Sequence, residues 1–280
     1  MNFPIKKLKF FAFYAVISIC TLLSLGAEDK FSPQKIVCLS PSGAEILCAL
    51  DSFDKIKART DYCDYPEKLK SLPSVGGFDG KTLSIETILS YSPDFVYGSQ
   101  GMHDFLKKPL ENLGIKVFLS NAANGISQTK QEILYIANLL EKHNEGKKII
   151  EHIEQQINSV PKSAPIKTVY YEVWAEPFMT AGKSSFINEL LEASGYKNVF
   201  ASVKESYPMV SEESIIASQP QIIILPDANG IKPQDIKMRR GWNKIPAVKN
   251  NSIFTINADL ISRPGPRIGE AVLALSKLSN

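Results

Sequence analysis

The stretch SQTKQEILYIANLLEKHNEGKKIIEHIEQQINSV, residues 127–160, decides how the rest of the chain is read. Ile133, Ile136, Ala137 and Leu140 fall on one helix face. After Glu145-Gly146 the spacing resumes at Ile149, Ile150, Ile153, Ile157 and Val160, until Pro161 and Pro165 end it. A continuous helix over 145–160 is roughly 24 Å long at 1.5 Å per residue, enough to cross from one domain to another. The plainer alternative is a surface helix of a single domain, and the flanking sequence chooses between them.

On both sides, short apolar runs alternate with helical patterns. Before the stretch, strands are expected at 35–39, 56–60, 94–97 and 115–119, and helices from Ser42, over 84–91 and over 104–113. Ser42 with Glu45 three residues on has the form of a capping box. After it, strands are expected at 168–173, 222–225 and 253–256, and helices at 185–193, 211–218 and 269–278. Such alternation implies an α/β fold of two lobes, each a mainly parallel sheet flanked by helices. The expected boundaries are an N-terminal lobe over 28–144, a connecting helix over 145–162 and a C-terminal lobe over 163–280.

An internal repeat supports the division. LSIETILSYSPDFVY (83–97) aligns without gaps on VSEESIIASQPQIII (210–224), with Ser84/Ser211, Glu86/Glu213, Ile88/Ile215 and Pro93/Pro220 identical. Each copy reads as a capped helix, a proline-marked turn and a strand. The serines are natural N-caps, which puts both glutamates in a first helical turn, where the helix dipole favours a carboxylate. That placement alone accounts for a glutamate. The alternative is one exposed carboxylate per lobe, suited to basic residues on a two-fold symmetric partner.

The first 27 residues belong to none of this. Lys6, Lys7 and Lys9 precede an apolar run over 10–25, and Ser24, Gly26 and Ala27 form a small-residue exit. This is the pattern of a secretory leader cleaved near Gly26 or Ala27, although the run approaches the length of an uncleaved anchor. Cys20 follows the bulky Ile19, where a lipid-attachment signal needs a small residue, so an exported periplasmic protein is expected rather than a lipoprotein. Without the leader's three lysines the chain has 29 basic and 29 acidic residues, a balance that offers nothing to nucleic acid. Three cysteines remain, Cys38, Cys48 and Cys63, so at least one thiol stays free, and a Cys48–Cys63 bridge is one candidate pairing.

Residues with chemical potential are aromatic rather than catalytic. Tyr62, Tyr65 and Phe78 in the first half, and Trp174, Phe178, Met179, Tyr207 and Trp242 in the second, lie after strands or in Pro/Gly-marked loops, where such side chains line binding sites. Trp174 has the alternative of capping its strand. Arg263 and Arg267 bracket a rigid Pro-Gly-Pro turn, and either hold an anionic ligand group or pair with a carboxylate such as Asp259. No GxSxG, GxGxxG or P-loop occurs, and the three histidines are scattered, so neither an enzyme, a resident cofactor nor a metal site is expected.

Taken together, the chain resembles the periplasmic substrate-binding proteins of ABC importers, in the class whose lobes are joined by one long helix. Within that class it is most similar to vitamin B12 (cobalamin)-binding proteins. The resemblance rests on Ser40-Pro-Ser, TDYCDYP (60–66), VGGF (75–78), the Glu86 helix with Pro93-Asp94, YEVWAEPFMTAG (171–182), YPMVSEE (207–213) and SRPGPR (262–267). It implies a monomer that captures a corrinoid between aromatic side chains and delivers it to a membrane permease and its ATPase. Glu86 and Glu213 would then be the docking carboxylates. Relatives of the class carry haem or iron–siderophore complexes, which remain the alternative. Where the family has Trp at the positions of Phe78 and Tyr207, and Phe at that of Met179, this chain keeps apolar area but changes its shape. A helical joint also implies little lobe closure. N-terminal sequencing of the exported protein should begin just after Gly26 or Ala27; an intact N-terminus would identify the leader as an anchor.

Overall fold

The computed structural model describes residues 31–77, 82–121, 125–161 and 165–278. The leader and Phe78 lie outside the described residues. Residues 33–280 form one unit by their contacts, and two sheets organise it.

The first sheet contains β1 (Ile36–Cys38), β2 (Ile56–Arg59), β3 (Phe95–Ser99) and β4 (Lys116–Ser120) in the order β2-β1-β3-β4, all parallel. Its helices are α1 (Pro41–Ala49), α2 (Ile85–Leu89) and α3 (Asp104–Glu111). Val37, Leu39, Val96 and Ile88 share the core with Leu106 and Leu110 of α3. Strands buried on both faces read as unbroken apolar runs, which is why β1 and β3 are visible in the sequence.

The second sheet repeats that order with β7 (Tyr196–Asn198), β5 (Lys167–Ala175), β8 (Ile222–Pro226) and β9 (Ile253–Ile256), again parallel. One short strand, β6 (Phe178–Thr180), turns back antiparallel on β5. The helices are α6 (Phe186–Ala193), α7 (Glu212–Ala217), α8 (Pro233–Met238), α9 (Pro246–Lys249), α10 (Ala258–Ser262) and α11 (Ile268–Ser276). β6, β7 and α8 to α10 are too short for periodicity to reveal.

The repeated segments occupy equivalent places, since β3 and β8 each follow the first strand of their sheet. Ser84 caps α2 by accepting from Thr87 N, and Ser211 caps α7 by accepting from Ser214 N. Ser92 and Gln219, at matching positions, both take left-handed backbone angles (φ 49° and 46°), and Ile88 and Ile215 are both buried. The likeness therefore extends to the turn that Pro93 and Pro220 mark.

Between the sheets run α4 (Ile126–Leu139) and α5 (His143–Asn158). α5 packs on α4 and also on α11 of the second lobe. The break read at Glu145-Gly146 falls earlier, at Glu141, whose φ is 60°. Gly146 is inside α5 and buried, and a Cβ there would stand 2.5 Å from Ala137 Cβ of α4. Glycine at that position serves close helix packing, not a turn. Replacing glycine by alanine in a helix normally gains about 1 kcal/mol. Here Gly146→Ala should lose about 1–3 kcal/mol through overpacking; a urea midpoint equal to or above that of the natural chain would refute the close approach.

Candidate ligand cleft

In an open parallel sheet the ligand crevice lies at the carboxyl ends of the strands where the order reverses, here between β1 and β3. Those ends build one wall of a cleft of about 400 Å³. Ser40, Pro41 and Ser42 follow β1; Tyr62 follows β2; Ser99, Gln100 and Met102 follow β3; and Ser120 ends β4. The opposite wall is second-lobe chain: Asp259 and Ser262 of α10, then Arg263 and Pro264. Beneath Ser120 lies a buried carboxylate, Glu132 of α4, which accepts from Ser120 Oγ at 2.7 Å and from Tyr97 Oη at 2.5 Å. Burial, with the Glu132 charge added, pushes the Tyr97 phenol well above its ordinary value, so it remains a donor.

The walls are held together by ions. The capping box expected of Ser42 and Glu45 does not form. Ser40 is the N-cap, accepting from Gly43 N, and Pro41 takes the first helical position. Glu45 is thereby free to meet the second lobe. Arg267 grips it with Nε–Oε2 at 2.7 Å and Nη2–Oε1 at 2.6 Å, and Arg263 Nη1 adds a contact at 3.4 Å. Arg263 also reaches Asp64 (2.8 Å) and Asp259 (2.8 Å). Burial pushes the Glu45 carboxyl above its ordinary value, and the two guanidiniums pull against that shift. Arg267 is itself raised, because Glu45 outweighs the guanidinium's own burial.

The sequence-selected residues divide accordingly. Tyr62 and Arg263 stand on the cleft walls. Tyr65 lies under the Arg267 guanidinium, 3.9 Å from ring centroid to Cζ, and both line a separate hollow of about 240 Å³ with Glu45 and Pro266. Of the two readings of the arginines, the carboxylate pairing is the one seen, and Arg263 also borders the cleft. Trp174, Phe178 and Met179 belong to the β5–β6 hairpin, with Trp174 opposite Met179, and Met209 bridges to Met179 beside Tyr207. None of these five is on the walls of the 400 Å³ cleft. Trp174, at 52 % exposed, and Tyr207 nonetheless leave an open aromatic surface.

Trp242 needs correction: it is 0 % exposed and is core, not cleft. A 3-10 turn over Trp242–Lys244, entered through Gly241 at φ 83°, folds it inward. There it packs on Tyr170 and Phe178, under the Arg239 guanidinium at 4.6 Å. Arg239 forms a bidentate pair with buried Glu172, and the indole N–H donates to Glu212 at 2.6 Å. Ser99, Gln100, Met102 and Ser120 are cleft residues that sequence reasoning did not single out; the signal available for them was position, at the ends of β3 and β4.

Cys38, Cys48 and Cys63 carry free thiols, so the Cys48–Cys63 bridge is not formed. Among the described residues no group of three or more His, Cys, Asp or Glu is arranged to hold a metal ion, and no helix is long and apolar enough to cross a membrane.

Comparison with known proteins agrees with this geometry. The family model described as periplasmic binding protein matches residues 36–260. The chain belongs to that family. The binding protein is 29 % identical to an ABC transporter substrate-binding lipoprotein of Bacillus subtilis, over 89 % of this chain and 80 % of the relative. It is 27 % identical to the vitamin B12-binding protein of Yersinia pseudotuberculosis, over 91 % and 88 %. Among solved structures it is similar to a possible iron-binding (periplasmic solute-binding) protein from Staphylococcus epidermidis, with a TM-score of 0.79 and 32 % identity over 89 % of this chain and 99 % of that one. The two-lobed α/β architecture expected from the sequence is the architecture of this family.

Removing Arg267 leaves a buried carboxylate with one weaker partner. Arg267→Ala should cost about 3 kcal/mol of stability, read from urea denaturation. Arg267→Lys, which keeps the charge but not the fork, should fall between the two. An alanine variant as stable as the natural protein would show that the pair does not hold the lobes.

Proposed function

We propose that the protein is the substrate-binding component of an ABC importer and that its cargo is a corrinoid. The observation that carries the reading is the cleft between two lobes, bordered by Tyr62 and Arg263, in a chain whose second lobe leaves Trp174 and Tyr207 open to a ligand. Similarity to a vitamin B12-binding protein across 91 % of the chain supports the choice of cargo. The cleft's volume is near the lower end of ordinary small-molecule sites. A corrin would therefore fill it and spread over the Trp174–Tyr207 surface, burying its flat faces on aromatic rings while Ser40, Gln100 and Arg263 orient polar side groups. Several hundred Å² of apolar contact at about 25 cal/mol per Å² leaves sub-micromolar affinity after the costs of association. No bond of the cargo is made or broken, and the energy for transport comes from the partner ATPase.

Delivery would rest on Glu86 and Glu213. Both are exposed, both sit in the first turn of a serine-capped helix, and the two helices occupy matching places in the lobes. Such a pair suits arginines on a two-fold symmetric permease.

A second reading, a ferric siderophore or haem carrier, is favoured by the 32 % identity to the possible iron-binding protein. Absorption spectra of the protein as purified separate these cargoes, since cobalamin, haem and ferric chelates absorb differently. Titration with cyanocobalamin should saturate below micromolar concentration; no binding at micromolar levels would overturn the corrinoid assignment. Glu86→Arg with Glu213→Arg should abolish uptake and leave cargo affinity unchanged. Loss of affinity would place the glutamates in the binding site instead.

A further inference from the structure

Cys38 ends β1, and Cys63 lies in the turn after β2. β1 and β2 are parallel neighbours with Cys38 opposite Arg59. Beyond Arg59, Thr60 N–H donates to the Cys38 carbonyl (3.1 Å) and Cys63 N–H donates to the Thr60 carbonyl (3.0 Å). This folds the chain back, so that Cys63 comes to lie on Cys38. Cys63 Sγ is 3.6 Å from the Cys38 carbonyl oxygen and 3.2 Å from Thr60 Oγ1, while Cys38 Sγ is 3.3 Å from the Ser40 carbonyl oxygen. These contacts bring the two side chains together at the end of β1. Both are fully buried, so nothing but local chain competes for them. Cys48 is on α1, lining the hollow shared by Tyr65, Pro66 and Arg267.

We propose that Cys38 and Cys63 are a redox pair that closes to an intramolecular disulfide, with Cys48 left as the free thiol. The oxidant is a low-molecular-weight or protein disulfide, met while the chain folds and before burial closes over the two sulfurs. The Cys63 thiolate attacks one oxidant sulfur and forms a mixed disulfide, releasing the first oxidant thiolate. Cys38 then attacks the Cys63 sulfur and releases the second. The two protein thiols lose two electrons, the oxidant disulfide gains them, and the two thiol protons pass to the released thiolates.

As the loop after β2 closes on β1, Cys63 is the sulfur whose surroundings come to favour the thiolate. Burial raises its thiol, but hydrogen bonds from Cys38 and Thr60 and the Arg263 charge outweigh that and hold it below the ordinary value. Cys38 is pushed well up, chiefly by burial. The bridge would act on the cleft, because Cys63 lies between Tyr62, on the cleft wall, and Asp64, which binds Arg263. Closing it would pin that wall segment to β1.

The test must not let burial shield the thiols. The reduced protein is unfolded and refolded in glutathione buffer with the oxidised form in excess, then quenched in acid. Remaining thiols are alkylated with iodoacetamide in denaturant. Trypsin leaves Cys38 and Cys48 in one peptide, so a glutamyl-specific protease is added to cut after Glu45 between them. The expected result is a Cys38 peptide linked to a Cys63 peptide, with Cys48 alkylated. Cys48→Ser should keep the link and Cys38→Ser should abolish it. A link through Cys48, or full alkylation of all three, overturns the proposal; the natural chain and Cys48→Ser suffice to decide if Cys38→Ser does not fold.

Discussion

A carboxylate out of water must be neutralised by partners or give up its charge. Glu45 meets that constraint by taking both of its arginines from the far end of the chain, more than two hundred residues away. The same guanidiniums border the cleft and the hollow beneath Tyr65, and Arg263 also anchors Asp64 beside Tyr62. The spacing of the walls, the placement of α1 and the course of the loop after β2 thus all depend on one buried charge. Ser40 has a part in this, because a cap at that residue sets where on α1 Glu45 emerges.

Around this contact the molecule is close to a duplication. Both sheets run second strand, first, third, fourth, and both carry a serine-capped helix followed by a left-handed residue and a proline before the third strand. The copies differ where β6 folds back on β5 and brings Trp174, Met179, Tyr207 and Met209 into one neighbourhood. One lobe presents small polar residues at its strand ends, and the other presents aromatic and thioether area.

The fold was legible in the sequence because its main strands are buried on both faces and its longest helices keep their apolar residues at helical spacing. What escaped was shape that depends on distant partners. Glu45 three residues after Ser42 has the local form of a cap, yet its carboxylate is taken by arginines that no nearby residue announces. Glu145-Gly146 has the local form of a break, yet Gly146 is where one helix makes room for Ala137 of another. Trp242 sits among glycine and arginines and reads as a loop aromatic, yet Arg239 and Glu172 draw it into the core. Cleft residues such as Ser99 and Gln100 carry no signature of type at all; their significance comes from standing at a strand end beside the sheet's point of reversal.

The chain has only two tryptophans, and they occupy opposite environments: Trp174 is half in water at the hairpin, and Trp242 is wholly enclosed. Their emission should therefore separate without any label. Light from the enclosed indole lies toward the blue and resists aqueous quenchers, while light from Trp174 lies toward the red and yields to them. Since Trp242 is bonded to Glu212, the neighbour of Glu213, its spectrum follows the helix that carries both glutamates. The molecule carries its own pair of optical gauges, one set in a lobe's interior and one on its open face.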